Sequence, residues 1–132
     1  MTRLLDTNTC IYYLNRSSDK LIENLKKYSP SELKLSSITV AELFYGAEKS
    51  KALKKNTAVV ERFISAFEIL PFDDTCCRAY ANIRGSLEKS GTPIGPMDLL
   101  IASICIARNL ILVTNNTKEF RRVKKLKLEN WL

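Results

Sequence analysis

Acidic and polar residues stand at the ends of predicted strands and the starts of predicted helices, where catalytic groups are often placed. Asp6 ends the apolar run RLLD, and Glu42 and Asp98 each fall in the first turn of a predicted helix. Thr114 and Asn116 close the apolar strand LILVT. Ligands of open parallel sheets bind beyond the carboxyl ends of the strands. These four segments are therefore predicted to deliver polar, mostly anionic groups to one rim.

Such a rim would favour metal-assisted chemistry on a phosphate. Clustered carboxylates repel one another, and a hard divalent cation such as Mg²⁺ or Mn²⁺, which prefers oxygen ligands, removes that penalty. The metal can activate a water and offset charge that builds on a phosphate. The net charge of +7 indicates an anionic partner, with nucleic acid as the first candidate. Together these features predict a nuclease.

Each of these polar residues also has a purely structural explanation. Asp6 can start a turn, and Thr39 with Glu42 has the T-x-x-E spacing of a capping box. Asp98 is the third residue of a helix that opens with Gly-Pro, where the helix dipole favours an acid. Asn116 can cap the following turn. The functional interpretation depends on all four segments meeting at one place.

Composition removes several other kinds of chemistry. The chain has no histidine, which excludes Ser-His-Asp and Cys-His mechanisms. Its four cysteines form no C-x-x-C pair and no zinc-like spacing. No apolar run reaches about 18 residues, so no transmembrane helix is indicated. The N-terminus does not resemble a secretory signal, and a cytoplasmic location is expected.

Strand and helix patterns alternate along the chain, which predicts an α/β fold with a short parallel central sheet. The predicted strands are Arg3–Asp6, Leu33–Ser36, Glu68–Phe72, Leu110–Thr114 and an edge strand at Leu126–Leu128. The predicted helices are Thr9–Asn15, one capped by Asp19, Thr39–Ser50, Leu53–Phe67, Thr75–Ser90 and Pro96–Arg108. The last of these is apolar on all sides and is expected to be the most buried helix. Nothing in the sequence supports a second domain.

Four stretches give the chain a family resemblance. They are LLDTNTC (Leu4–Cys10), SSITVAELFYGAEKS (Ser36–Ser50), GTPIGPMDLLIAS (Gly91–Ser103) and LVTNNTKEFRRV (Leu112–Val123), followed by LENWL. In order and spacing they resemble PIN-domain ribonucleases, specifically VapC-type toxins of type II toxin–antitoxin pairs. The resemblance implies a PIN-like three-layer α/β/α sandwich that forms a single domain over residues 1–132. It also implies a hydrolase that cleaves RNA phosphodiester bonds with Mg²⁺ or Mn²⁺.

The same resemblance assigns roles to individual residues. Asp6, Glu42 and Asp98 would be the catalytic acids and the metal ligands. Thr7 and Thr114 would be supporting hydroxyls.

Two further positions concern the number of metals. Family members often carry a fourth acid two residues after the strand-ending Thr, and here that position is Asn116. The loss of one charge puts a second metal in doubt, although Asn116 can still supply a carbonyl oxygen. Glu119 is a candidate for a further acid at the site. Its alternative is an ordinary helix turn beside a buried Phe120.

The resemblance also implies partners. VapC-type toxins pair with a small VapB-type antitoxin that blocks the site, and they usually form homodimers within a toxin–antitoxin assembly. Their substrates are structured RNAs, and initiator tRNA is the expected target of relatives with these stretches. Cleavage there would inhibit translation.

Basic residues supply candidate RNA contacts. Arg121, Arg122 and Lys124 follow directly on the loop at the predicted site, and Arg84 lies on the helix before the GTPIGP loop. Arg84 is expected to pair with a site carboxylate or to touch the scissile phosphate. The alternative is a solvated basic face.

Two other function classes stay open at this point. A non-catalytic RNA-binding or adaptor module with a degenerate site is favoured only by Asn116. A phosphotransfer enzyme could use Asp6 as a nucleophile after a strand. The D-x-D pattern of such phosphatases is absent, because position 8 is Asn8.

Overall fold

Five short strands form one sheet in the computed structural model, which describes residues 1–132. The strands are β1 (Arg3–Leu5), β2 (Leu33–Ser36), β3 (Glu68–Leu70), β4 (Ile111–Val113) and β5 (Lys127–Glu129). Their order is β3-β2-β1-β4-β5, and every neighbouring pair is parallel. The predicted parallel sheet is confirmed, and its edge strand β5 lies one residue further along than the sequence predicted.

Seven α-helices and one 3-10 turn connect the strands. They are α1 (Thr7–Leu14), α2 (Asp19–Lys26), a 3-10 turn (Pro30–Glu32), α3 (Ser37–Glu48), α4 (Leu53–Ile64), α5 (Asp74–Lys89), α6 (Pro96–Arg108) and α7 (Thr117–Phe120). None of these helices combines the length and the apolar character that crossing a bilayer requires.

Side chains of the central strands alternate between two separate cores. Leu4 and Leu112 point to one face of the sheet, where they pack with buried residues of α5, α6 and α7. Leu5 and Val113 point to the other face, where they pack with buried residues of α1, α2, α3 and α4. Strands covered on both faces are typical of parallel sheets. The two cores confirm the three-layer α/β/α sandwich.

Helix α6 holds more buried residues than any other helix. Ile101 to Cys105 are all buried, because α6 lies between the sheet and α5. Its N-terminus begins with Gly95 at the cap position and Pro96 at the first helical position, as predicted. It ends at Asn109, which adopts a left-handed conformation. The expectation that α6 is the most buried helix is confirmed.

Several predicted helix starts are wrong by one to two residues, because other side chains make the cap. Asp6 accepts a hydrogen bond from Thr9 N, so α1 begins at Thr7 and not at Thr9. Ser18, not Asp19, caps α2. Ser36 accepts from Thr39 N and caps α3. The structural alternative of a Thr39–Glu42 capping box is therefore excluded, and Glu42 lies in the second turn.

Some predicted boundaries extend too far at the other end. Helix α4 ends at Ile64 and not at Phe67, since the chain must turn before β3. Strand β3 ends at Leu70, because Pro71 cannot donate to a ladder. The core positions of both elements are unaffected by these differences.

Candidate active site

Asp6 lies where three elements meet. Its main-chain N–H donates to Val113 O at the end of β4 over 3.0 Å, and its Oδ1 accepts from Thr9 N over 2.8 Å. Thr9 Oγ1 in turn donates to Val113 O over 3.2 Å. The Asp6 side chain is buried, with 3% of the residue exposed. Burial raises the pKa of Asp6, while hydrogen bonding to Thr114 and Thr9 opposes that rise.

Glu42 is joined to the α1 start by a threonine hydroxyl. Thr7 Oγ1 donates to Glu42 Oε1 over 2.6 Å, and it also lies 3.0 Å from Thr39 Oγ1. A hydroxyl has one proton to donate, and the carboxylate is the stronger acceptor. We therefore infer that Thr39 donates to Thr7. The hydrogen bond from Thr7 holds the Glu42 side chain in place. Glu42 lies in the second turn of α3 and not in the first turn, where the sequence predicted it.

Asp98 is the third residue of α6, as predicted. Burial is the main cause that raises its pKa from 3.8 to about 6, followed by the charges of Glu119, Asp6 and Glu42. A carboxylate in the first turn of a helix is ordinarily stabilised by the helix dipole. At Asp98 burial and like-charge repulsion outweigh that benefit. The charge of Asp98 is thus influenced by the other three acids of the rim.

Asn116 and Glu119 complete the rim beyond β4. Asn116 N donates to Thr114 Oγ1 over 3.0 Å, and Asn116 Nδ2 donates to Glu119 Oε2 over 3.0 Å. Glu119 Oε1 accepts from Gly95 N over 2.8 Å. These bonds hold the pKa of Glu119 below its usual value, the Asn116 amide first and the Gly95 amide second. Asn116 occupies the cap position of α7, but its side chain makes no capping bond, so the purely structural alternative for Asn116 is not met.

Three contributors to the site were missed by sequence reasoning. Thr9 fixes Asp6, Thr39 fixes Thr7, and the Gly95 amide binds Glu119. The first two lie within the DTNT and SIT stretches, where a hydroxyl follows a strand end, so a local signal existed. No local signal exists for Gly95, because its partner is 24 residues away.

The candidate RNA contacts Arg84 and Arg122 lie beside the loop before α6, because Arg84 shares a pocket with Pro93 and Arg122 binds it. Arg84 donates to Glu88 Oε2 over 3.0 Å and to the Tyr80 hydroxyl over 2.8 Å, so it does not pair with a carboxylate of the site. Arg122 donates to Pro93 O over 2.8 Å and thereby lies against the loop before α6. Arg121 and Lys124 are exposed.

Of the candidate RNA contacts, only Arg84 takes part in a salt bridge. The five salt bridges use Arg3, Lys26, Lys34, Arg84 and Arg108. The charges of Arg121, Arg122 and Lys124 are therefore available to a polyanion.

The donor atoms of the acidic cluster are all oxygens. Asp6, Glu42, Asp98 and Glu119 offer carboxylates, which suit a hard divalent cation. No three His, Cys, Asp or Glu side chains are grouped closely enough to hold a metal ion jointly. The largest surface groove, about 450 Å³, lies apart from the cluster between α1, α2 and α4 and has no acidic lining residue.

Comparison with known proteins gives concordant similarities. The family model described as PIN domain matches residues 3–126, a range that includes all four acids. The chain is 45% identical to Ribonuclease VapC2 of Rickettsia felis, over 99% of the chain and 98% of that protein. It is 43% identical to the tRNA(fMet)-specific endonuclease VapC of Salmonella typhimurium, over 97% and 96%.

A solved structure is similar over the same length. It is DNA-bound VapBC from Salmonella typhimurium, with a TM-score of 0.94 at 42% identity. The match covers 100% of this chain and 99% of that chain.

Replacing Asp98 with Asn is expected to stabilise the metal-free protein at neutral pH. The folded-state pKa of Asp98 is raised to about 6, so folding disfavours its charged form and stability falls as pH rises from about 4 to 6. Asp98→Asn should therefore raise the melting temperature at pH 7.5 in EDTA, and the difference should shrink toward pH 4. Glu61→Gln, at an exposed acid of α4, is the control. A lower melting temperature for Asp98→Asn at pH 7.5 would contradict the repulsion.

Proposed function

Because the chain belongs to the PIN-domain family, and within it to the VapC-type ribonucleases, we propose that it is a metal-dependent endoribonuclease. One observation carries the proposal. Four acids from separate elements share one rim, where burial first and the charges of Glu119, Asp6 and Glu42 second raise the pKa of Asp98 to about 6. If the four acids had only a structural role, their repulsion would destabilise the folded state without any compensating benefit. A bound cation would remove that repulsion.

The proposed cofactor is Mg²⁺, with Mn²⁺ as an alternative. Mg²⁺ keeps several waters and binds through one or two carboxylates plus substrate phosphates. That habit suits a cluster without a ready-made group of three ligands. We propose Asp6 and Asp98 as direct ligands, with Glu42 acting directly or through a bound water. When bound, the ion activates water and offsets the charge that builds on the scissile phosphate.

The residues around the acids then have defined tasks. Thr9 and Thr114 keep the Asp6 carboxylate oriented within a buried position. Thr7 holds Glu42 in place through the 2.6 Å bond. Because each acid is fixed by a neighbour on another element, little reorganisation is needed when substrate binds.

The proposed substrate is RNA, specifically a tRNA. One relative is named a tRNA(fMet)-specific endonuclease, and we propose the initiator tRNA as the target of this chain. Arg121, Arg122 and Lys124 would contact backbone phosphates next to Glu119, and Arg84 would do so from α5. Cleavage of an initiator tRNA would inhibit translation, as expected of a toxin.

The proposed protein partner is a VapB-type antitoxin. A solved structure similar to this chain is that of a DNA-bound VapBC. We propose that the antitoxin covers the acidic rim, since a basic side chain inserted there would neutralise the cluster as a cation does. A toxin homodimer within a larger toxin–antitoxin assembly, located in the cytoplasm, completes the proposal.

Cleavage assays on total tRNA test the activity. The parent with Mg²⁺ or Mn²⁺ should generate new RNA ends, and EDTA should abolish them. Asp6→Asn and Asp98→Asn should each lower the rate by about a hundredfold or more, because each removes a carboxylate ligand of the cation that offsets phosphate charge in the transition state. Asn caps helices as well as Asp does, so Asp6→Asn should still fold.

The matched control for this assay is Glu61→Gln, which removes an exposed acid outside the rim and should cleave as the parent does. Equal cleavage by the parent and both Asn variants would refute the assignment. RNA binding without cleavage by any form would favour the adaptor module.

Salt dependence tests the basic surface. Arg121→Ala and Lys124→Ala should each weaken RNA binding by catalytically inert Asp98→Asn protein. Each should also reduce the slope of log Kd against log salt by about 0.7 to 0.9 for a lost phosphate contact. Lys20→Ala, at an exposed position on α2, should leave the slope unchanged. An unchanged slope in all three variants would place the RNA on another surface.

A further inference from the structure

A second groove of the molecule, the Glu42 groove, begins at the acidic rim. It has a volume of about 370 Å³ and lies between α1, α3 and α4. Its lining includes Ile11 and Asn15 of α1, Glu42 and Gly46 of α3, and Asn56 and Val59 of α4. Glu42 also accepts the hydrogen bond from Thr7 at the rim, so the groove and the acids share one residue. A ligand in the Glu42 groove would therefore lie next to the group on which the acids act.

Gly46 leaves the wall of this groove open. It follows Glu42 by four residues on α3 and so faces the same side of that helix. Glycine in the interior of a helix is destabilising relative to alanine. Packing does not explain the glycine here, because a methyl group at Gly46 would meet no atom within 4 Å. The absence of a side chain at this position instead keeps the Glu42 groove accessible.

The lining of the Glu42 groove suits the face and the edge of a nucleobase. Ile11 and Val59 are 39% and 37% exposed, and their apolar side chains can cover a base. Ser50 Oγ donates to Ala47 O over 2.7 Å, so its oxygen must accept from Asn56 Nδ2, which lies 3.0 Å away. This bond orients the amide and leaves Asn56 Oδ1 without a partner within the protein. A free acceptor can bind an exocyclic amino group, which adenine, cytosine and guanine carry and uracil lacks.

Exposed lysines beyond the groove supply charge for phosphates. They lie at the end of α3, at the start of α4 and in the connection between these helices, and they are Lys49, Lys51, Lys54 and Lys55. None of the four takes part in a salt bridge. Lys49 is the C-terminal cap residue of α3, about 10 Å from Glu42 along the helix axis. This charge favours a polyanion over an uncharged apolar partner as the occupant of the groove.

We propose that the Glu42 groove is a nucleotide subsite, which holds one unpaired base of the RNA next to the scissile phosphate while the four lysines bind the adjoining backbone phosphates. The base bound there carries an exocyclic amino group that donates to Asn56 Oδ1. The inference rests on the proposed function for its catalytic consequence, whereas binding of RNA in the groove does not require cleavage.

Filling the groove tests the subsite. In catalytically inert Asp98→Asn protein, Gly46→Leu should raise the melting temperature by about 3 °C, because leucine favours a helix more than glycine does. Its side chain should nonetheless occupy the groove and weaken the binding of total tRNA by about tenfold or more, the worth of one bound base. The matched control is Gly85→Leu on α5, where a methyl group likewise meets no atom within 4 Å. This control should also raise the melting temperature, and it should bind tRNA unchanged.

The base preference is tested at Asn56. Short oligoadenylate should bind Asp98→Asn protein more tightly than oligouridylate does, and Asn56→Leu should reduce the ratio of the two affinities by about threefold to tenfold, as expected for one hydrogen bond. Because both RNAs are measured on the same variant, any loss of folded protein cancels in the ratio. The charge is tested by Lys54→Ala, which should lower the slope of log Kd against log salt by about 0.7 to 0.9.

Three results would overturn the subsite. One is Gly46→Leu protein that binds tRNA as tightly as the Asp98→Asn protein from which it is made. Another is a ratio of affinities that Asn56→Leu leaves unchanged, and this ratio decides the question if Gly46→Leu does not fold. The third is a Gly46→Leu variant that changes its oligomeric state in sedimentation, which would assign the groove to a second copy of the chain. If the parent protein does not cleave RNA, the proposed function fails, and the binding measurements still decide the subsite.

Discussion

Repulsion among four carboxylates is the constraint around which the rim of this protein is arranged. Asp6, Glu42, Asp98 and Glu119 come from separate elements, and burial followed by the charges of the other three acids raises the pKa of Asp98 to about 6. In a small domain of marginal stability such a cost is a large fraction of the total. The sandwich tolerates it because each acid is held by hydroxyl or amide donors. The proposed cation would neutralise this excess of negative charge, whereas the RNA phosphates would add to it.

The two apolar cores supply the stability that lets the protein tolerate this repulsion. Leu4 and Leu112 bury one face of the central strands, and Leu5 and Val113 bury the other. All neighbouring strands are parallel, so the polar residues that follow β1 and β4 lie at the same edge of the sheet. Burial of α6 on the sheet brings Asp98 to that edge. The stability of both cores thus offsets the electrostatic cost at the rim.

Local pattern predicted the parts of the site that depend on neighbours in sequence. Asp6 follows an apolar strand, and Asp98 is the third residue after a Gly-Pro helix start; both positions are as predicted. The position of Glu42 was predicted one helical turn too early, because the stretch SSIT offers several hydroxyls that could cap the helix. In the folded chain Ser36 is the cap. The bond between Gly95 and Glu119 could not be predicted, since it joins residues that only the folded chain brings together. Family resemblance supplied the roles, and the structure supplied these partners.

The central claim is that the metal-free rim holds charges that repel and that a divalent cation relieves them. Carboxyl-carbon NMR titration of Asp98 measures this directly, with the parent protein in EDTA and again in saturating Mg²⁺. We expect a pKa of about 6 without metal. With Mg²⁺ the pKa should fall below the model-compound value of about 3.9, because a bound cation favours the ionised form. A pKa near 4 in EDTA that does not change with Mg²⁺ would contradict the account.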